Sequence, residues 1–331
     1  MNKLFLLFFL IISIKTTLFG QQMDSLSMEY QHLKLPNVQT YMISKNLNFE
    51  YQKPKFWEFI TNIPSDFGIF GEMFVQKNNL IWFGAALGST AALVPIDQQL
   101  TNQSRTFGEQ IGLNEAHQYS GPLKMFPKDI NSGIYRLGNG FTAIMFGGGL
   151  LTYGLLKNDY RAIHTSSELL EGLIASGLIV QPLKRITGRE SPFIAEKNGH
   201  SGGEWNPFPS FAAYAKSTPN YDAMPSGHLT TLMTTMTILS ENYKEKKWIK
   251  PVGYGLMGLM AFEMVQSKVH WTSDYPLAIF MGYMIGNSIV KNRVIEKTNR
   301  PIGVQKTIIP KINYTFDVDQ YFSKIGMQMR F

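Results

Sequence analysis

The chain contains no cysteine. Disulfides and thiolate metal sites are therefore excluded, while an oxidising compartment stays open to it. Charged residues are also scarce, at 17% of 331 residues. The chain has no internal repeat, no low-complexity tract and no run of histidines and acids at metal-ligand spacing. The mean hydropathy of -0.09 is low for a chain built mostly of membrane spans. Aromatics are plentiful at 13%, which suits much buried or lipid-facing surface. The net charge of +7 suits anionic lipid headgroups or phosphorylated substrates, and equally an ordinary solvated surface. Nothing in the sequence points to a nucleic-acid partner.

Residues 1–20 open with a short basic start, an apolar run and a small-residue end at Gly20. That is the pattern of a cleaved secretory signal peptide, with an uncleaved anchor as the alternative. Residues 21–75 read as an N-terminal extension, aromatic-rich from 51 onward. Six apolar stretches of helical length follow, at 80–96, 138–156, 163–183, 226–243, 251–267 and 274–290. They define an all-α domain over 76–293 and lie at the lower edge of membrane-span length. The irregular link 185–224, rich in Gly and Pro, is expected to shape the mouth of a site. Residues 294–331 end in short alternating runs that predict a β-hairpin or strand tail.

Three segments carry chemistry. Pro225-Ser226-Gly227-His228 is a tight turn with a hydroxyl, a permissive backbone and an imidazole, a phosphate site in outline. His270 and Asp274 are four residues apart, so the carboxylate can reach the ring within one helical turn and fix its tautomer. Lys184, Arg185 and Arg189 supply cations just upstream, in a segment that ends at Pro192. In this order the segments resemble the type 2 phosphatidic acid phosphatase superfamily, which also holds bacterial acid phosphatases and vanadium haloperoxidases. Its pattern is Lys-x6-Arg-Pro, Pro-Ser-Gly-His, then Ser-Arg-x5-His-x3-Asp.

The resemblance implies a six-helix bundle and a set of roles. His270 would attack phosphorus to give a phosphohistidine, and His228 would protonate the leaving oxygen and then activate water. Ser226 and the Gly227 N–H would bond equatorial oxygens beside a helix N-terminus, and Lys184 would neutralise developing charge. The family's phosphatase reaction needs no metal and no other cofactor. The expected substrate is a phosphorylated lipid, such as phosphatidic acid, an isoprenoid diphosphate or a lipid A phosphate, with soluble phosphomonoesters second. Two alternatives remain: a haloperoxidase holding vanadate on His270, and a relative that binds phosphate without turnover.

Two positions depart from the pattern. Ser191 stands where the first block has arginine, and Met264, preceded by Glu263, stands where the third block has Ser-Arg. Arg189 is expected to supply the missing phosphate-binding charge, because Gly188 can end the helix and turn the chain inward. Arg185 and Lys268 are the other candidates. His32, His117, His164 and His200 carry no motif and read as structural or exposed. Basic stretches at 157–161, 244–250 and 291–300 would share one side if all six segments span, which puts the catalytic blocks outside the cytoplasm. A cleaved signal peptide ahead of six spans would put them inside instead. An exported, membrane-associated or periplasmic helical bundle removes that conflict.

Overall fold

The computed structural model describes residues 37–120, 126–298, 311–319 and 322–330. The expected signal peptide at 1–20 lies outside the described residues. The chain divides into two compact units, the first ending at Lys297 and the second starting at Thr298.

The first unit opens with a hairpin, β1 (Val38–Ser44) and β2 (Leu47–Gln52), paired antiparallel with Val38 opposite Gln52. A short β5 (Ile295–Thr298) joins it in a sheet of order β1-β2-β5. The β1–β2 hairpin falls within the segment read from sequence as an N-terminal extension, and β5 falls within the expected strand tail at 294–331. The hairpin register is fixed from outside, since the Tyr51 hydroxyl donates to Asn242 Oδ1 at 2.9 Å. Helices α1 (Glu58–Thr61), α2 (Ile63–Phe74), α3 (Lys77–Leu93) and α4 (Asp97–Gln110) follow. A small β3 (Tyr119–Ser120) and β4 (Phe126–Pro127) lead into α5 (Ile130–Arg136) and α6 (Phe141–Lys157). The 28-residue α7 (Tyr160–Thr187) comes next. After it stand α8 (Pro192–Asn198) and α9 (Phe211–Lys216) in the irregular link. Helices α10 (Gly227–Asn242), α11 (Ile249–Gln266) and α12 (Tyr275–Arg293) complete the unit. All six expected helical segments are present, as α3, α6, α7, α10, α11 and α12. The domain is not a bare six-helix bundle, because the shorter helices and the small sheets are added to it.

The core is built from α7, α10, α11 and α12, with Leu169, Leu232, Ile238, Met260, Ile285 and Ile289 in one buried cluster. Helix α10 is threonine-rich yet buried. Its hydroxyls are satisfied locally, as in Thr230 to the Ser226 carbonyl at 2.9 Å, or across helices, as in Thr234 to the Gly282 carbonyl at 3.2 Å. Close approach of α10 and α12 needs glycine. A Cβ on Gly282 would sit 2.5 Å from the Thr230 carbonyl oxygen, and one on Gly286 would sit 2.6 Å from Thr237 Cβ.

The second unit is a hairpin of β6 (Lys311–Asp319) and β7 (Phe322–Arg330), antiparallel from Lys311 opposite Arg330 to Asp319 opposite Phe322. It is the strand tail that the alternating runs predicted.

Candidate active site

Three local devices bring the motif residues together. Ser226 caps α10: its side chain accepts the Leu229 N–H at 3.3 Å, so Gly227 and His228 occupy the first turn at the positive end of the helix dipole. Gly188 ends α7 in the left-handed conformation, at φ 56°. A Cβ there would meet the Asn206 carbonyl oxygen at 1.8 Å, so the turn needs a glycine in both conformation and space. The third device is the 3-10 turn Thr272–Asp274 ahead of α12. Asp274 Oδ2 accepts the Trp271 N–H at 2.8 Å and faces His270 Nδ1 at 3.4 Å. The Ser226 N–H donates to the Asp274 carbonyl at 3.2 Å, which ties the second motif to the third.

The result is a small cluster. The rings of His228 and His270 lie 5.8 Å apart, centroid to centroid, nearly edge to face. The Lys184 ammonium sits 3.6 Å from where a Gly227 Cβ would be, so the lysine lies against the Ser226–Gly227 turn. Its Nζ also reaches Asp222 Oδ2, at 3.3 Å. Lys184, Ser226, His270 and Asp274 are all buried. Burial, then the charges of His270, Lys184 and His117, push the His228 imidazole well below its usual range. Burial raises the Asp274 carboxyl, but the Arg189 guanidinium and His270 outweigh it and hold the group below its ordinary value.

Arg189 is placed differently from the expectation. Its guanidinium is fully buried between two carboxylates, Asp97 Oδ2 and Asp274 Oδ1, each at 2.7 Å. It also donates to Ser273 Oγ at 2.5 Å and to the Gly202 carbonyl at 3.3 Å. Four of its N–H directions are thus engaged by protein, and the Nε–H has no partner. The inward bend at Gly188 carries Arg189 past the Lys184 pocket into the layer behind His270. Asp97 completes that layer by accepting the Ser273 N–H at 3.0 Å and the Ser273 hydroxyl.

The other candidate cations are also engaged. Lys268, at φ 59°, pairs with Glu196 at 2.5 Å and Glu115 at 2.8 Å. Arg185 lies over the rings of Phe211 and Tyr214. Ser191 stands at the residue before α8 without a side-chain capping bond, and Met264 is buried in the helical core.

Several residues beside the motif histidines carry no motif of their own. Tyr135 packs on the His228 ring at 4.8 Å, and His117 stacks on Tyr135 at 4.0 Å. His117 Nε2 lies 2.7 Å from the buried Glu263. The one sequence signal for this pair is Glu263 itself, a carboxylate at a helix position that the structure buries completely. Asp97, Asp222 and Ser273 gave no signal, because their roles depend on chain segments far apart in sequence. Among the described residues, no group of three or more His, Asp or Glu side chains is arranged to hold a metal ion.

Residues 166–295 match the family model described as the PAP2 superfamily. The match contains all three motif segments. No curated protein and no solved structure matches the chain.

Proposed function

Because this chain carries a PAP2-superfamily domain over residues 166–295, we propose that it is a phosphatase of that superfamily, working through a phosphohistidine. The observation that carries this reading is the convergence of His270, His228 and Lys184 on the capped Ser226–Gly227 turn, with Asp274 behind His270. In this reading Asp274 accepts from His270 Nδ1 and leaves Nε2 free to attack phosphorus in line with the leaving oxygen. The P–O bond to the leaving group breaks as the N–P bond forms. His228, whose proton affinity the bound phosphate anion raises, gives the leaving oxygen its proton, then takes one from the water that cleaves the N–P bond. Ser226, the Gly227 N–H and Lys184 hold the non-bridging oxygens as charge builds on them. Arg189 acts through Asp274: it keeps the carboxylate ionised and aimed, and Asp97 holds Arg189 in turn.

We assign the substrate to lipid phosphates ahead of soluble phosphomonoesters. The support is apolar surface. The helical stretch Lys77–Gln110 is long and apolar enough to cross a membrane, with 11% of its apolar window buried. Trp82, Ile144, Leu156 and Leu259 stand exposed on α3, α6 and α11. We place the active site outside the cytoplasm, in an exported bundle whose apolar helices associate with the membrane surface without carrying the motifs across it, on the basis of the apolar leader at 1–20.

The test is phosphate release by the purified full-length protein from phosphatidic acid, an isoprenoid diphosphate and a soluble aryl phosphate. His270→Ala should abolish release from all three. Release that survives this change contradicts the assignment. A wild type inert on all three would mark a phosphate-binding relative without turnover.

A further inference from the structure

A phosphoryl anion needs several positive donors, and the site described above has few. Arg189 is engaged by Asp97 and Asp274, Lys268 by Glu115 and Glu196, and Arg185 by two aromatic rings. Positions 191 and 264 hold serine and methionine. Lys184 is the cation that lies against the Ser226–Gly227 turn, its Nζ 3.6 Å from where a Gly227 Cβ would be. That same ammonium already serves an anion of the protein, since it donates to Asp222 Oδ2 at 3.3 Å.

This ion pair differs from those of Arg189. The Arg189 guanidinium and its two carboxylates are fully buried. The Asp222 side chain keeps 26% of its surface exposed, while Lys184 keeps 8%. Among the described residues, Lys184 is the side chain that donates to the Asp222 carboxylate. The backbone of Asp222, by contrast, is held. Residues 189 and 222 form a parallel bridge, and the Ala223 N–H donates to the Arg189 carbonyl at 3.0 Å. Pro225 and the capped turn follow directly. The chain therefore tethers a carboxylate beside the turn and leaves its side chain room to rotate into water. The charge is felt further into the site as well. Tyr135 packs on the His228 ring, and its hydroxyl is pushed up to about 12 by burial, then by Tyr119, Glu263 and Asp222.

An oxyanion on the Ser226–Gly227 turn would share the Lys184 ammonium with this carboxylate. Two anions on one cation repel each other, and the repulsion is strong where water is partly excluded. We infer that Asp222 is a specificity-determining residue of this site: it competes with the phosphate group for Lys184 and so weakens the binding of inorganic phosphate. The inference rests on the phosphatase reading for the meaning of that anion, which is then the product, while the competition itself is open to a separate test. A like charge set beside a ligand lowers affinity just as a missing contact does.

The experiment is calorimetric binding of inorganic phosphate to the full-length protein, with turnover measured separately. Asp222→Asn keeps the shape of the side chain and removes its charge. It should tighten phosphate binding about tenfold, and Asp222→Ser should act in the same direction. Adding Lys184→Gln to Asp222→Asn should erase the gain, because the two positions act on one contact. A carboxylate that merely oriented Lys184 would give the opposite sign. Unchanged or weaker affinity in both Asp222 variants therefore overturns the inference. So does a gain that survives Lys184→Gln, or phosphate binding undetectable in every form. Tighter binding in Asp222→Asn, with no phosphoester hydrolysed by wild type or variant, overturns the phosphatase reading and leaves the competition standing. Turnover that depends on His270, with phosphate affinity indifferent to Asp222, does the reverse.

Discussion

At the scale of single residues, Asp274 is the hinge of the site. It faces the His270 ring, accepts from the Trp271 backbone and pairs with Arg189. Asp274→Asn keeps the shape, removes the charge that fixes the tautomer and leaves Arg189 with one carboxylate. It should lower kcat by about a thousandfold or more with a smaller change in KM, as measured by steady-state phosphate release. An undiminished kcat would detach Asp274 from the chemistry. His228 gives a pH prediction. Its imidazole is held well below its ordinary value by burial, His270, Lys184 and His117, so the folded chain resists a proton that the unfolded chain accepts. From about pH 6.5 downward the unfolded state therefore binds more protons, and stability falls as pH falls. His228→Gln should flatten part of that slope in chemical denaturation measured across pH 4 to 8, roughly. A slope unchanged by the substitution would contradict the lowered proton affinity of His228. Pro-Ser-Gly-His and His-x3-Asp were legible in the sequence because short-range geometry alone brings Ser226 onto α10 and Asp274 within reach of His270. The destination of Arg189 was not, because its partner Asp97 lies 92 residues earlier and has no motif. The pairing of His117 with Glu263 was not legible either, because the two lie 146 residues apart.

At the scale of elements, the pairing of α10 with α12 sets the distance between the second and third motifs, and glycine sets that pairing. Gly282→Ala would push a methyl into the Thr230 carbonyl and the Met233 side chain. It should destabilise the protein by about 1–3 kcal/mol in denaturant titration. Gly258→Ala on α11 meets nothing within 4 Å and should be neutral or stabilising by about 0.5–1 kcal/mol through helix propensity. Equal effects at the two positions would refute the packing argument. The six long helices were legible from their apolar runs, and their ends follow local signals such as the Asp159 cap of α7 and the left-handed Gly188 at its end. The polar α4 was missed because its mixed composition carries no apolar run, and the structure holds it through Asp97 against Arg189 and Ser273. The hairpin of β1 and β2 was missed because Tyr51 gains its partner, Asn242, only when α10 is in place.

At the scale of the whole molecule, the chain presents an unusual amount of apolar surface for its hydropathy. Leu156 is 79% exposed, Trp82 67% and Ile144 60%. These side chains stand on the outer helices, while the motif residues Lys184 and Ser226 are buried at the end of α7 and the start of α10. Carbonate washing of isolated membranes should leave the full-length protein in the pellet, and detergent should release it. Full release on osmotic shock would favour a soluble phosphatase over one acting on lipids. The central claim is that His270 carries the phosphoryl group, and trapping the intermediate tests it most directly. Acid-sensitive, alkali-stable phosphate should appear on His270 when the protein and a phosphoester substrate are quenched within a single turnover and mapped by mass spectrometry. The label should be absent from His270→Ala and should accumulate when the step assisted by His228 is slowed by His228→Gln. Turnover without any label on His270, or a label on another residue, would contradict the account.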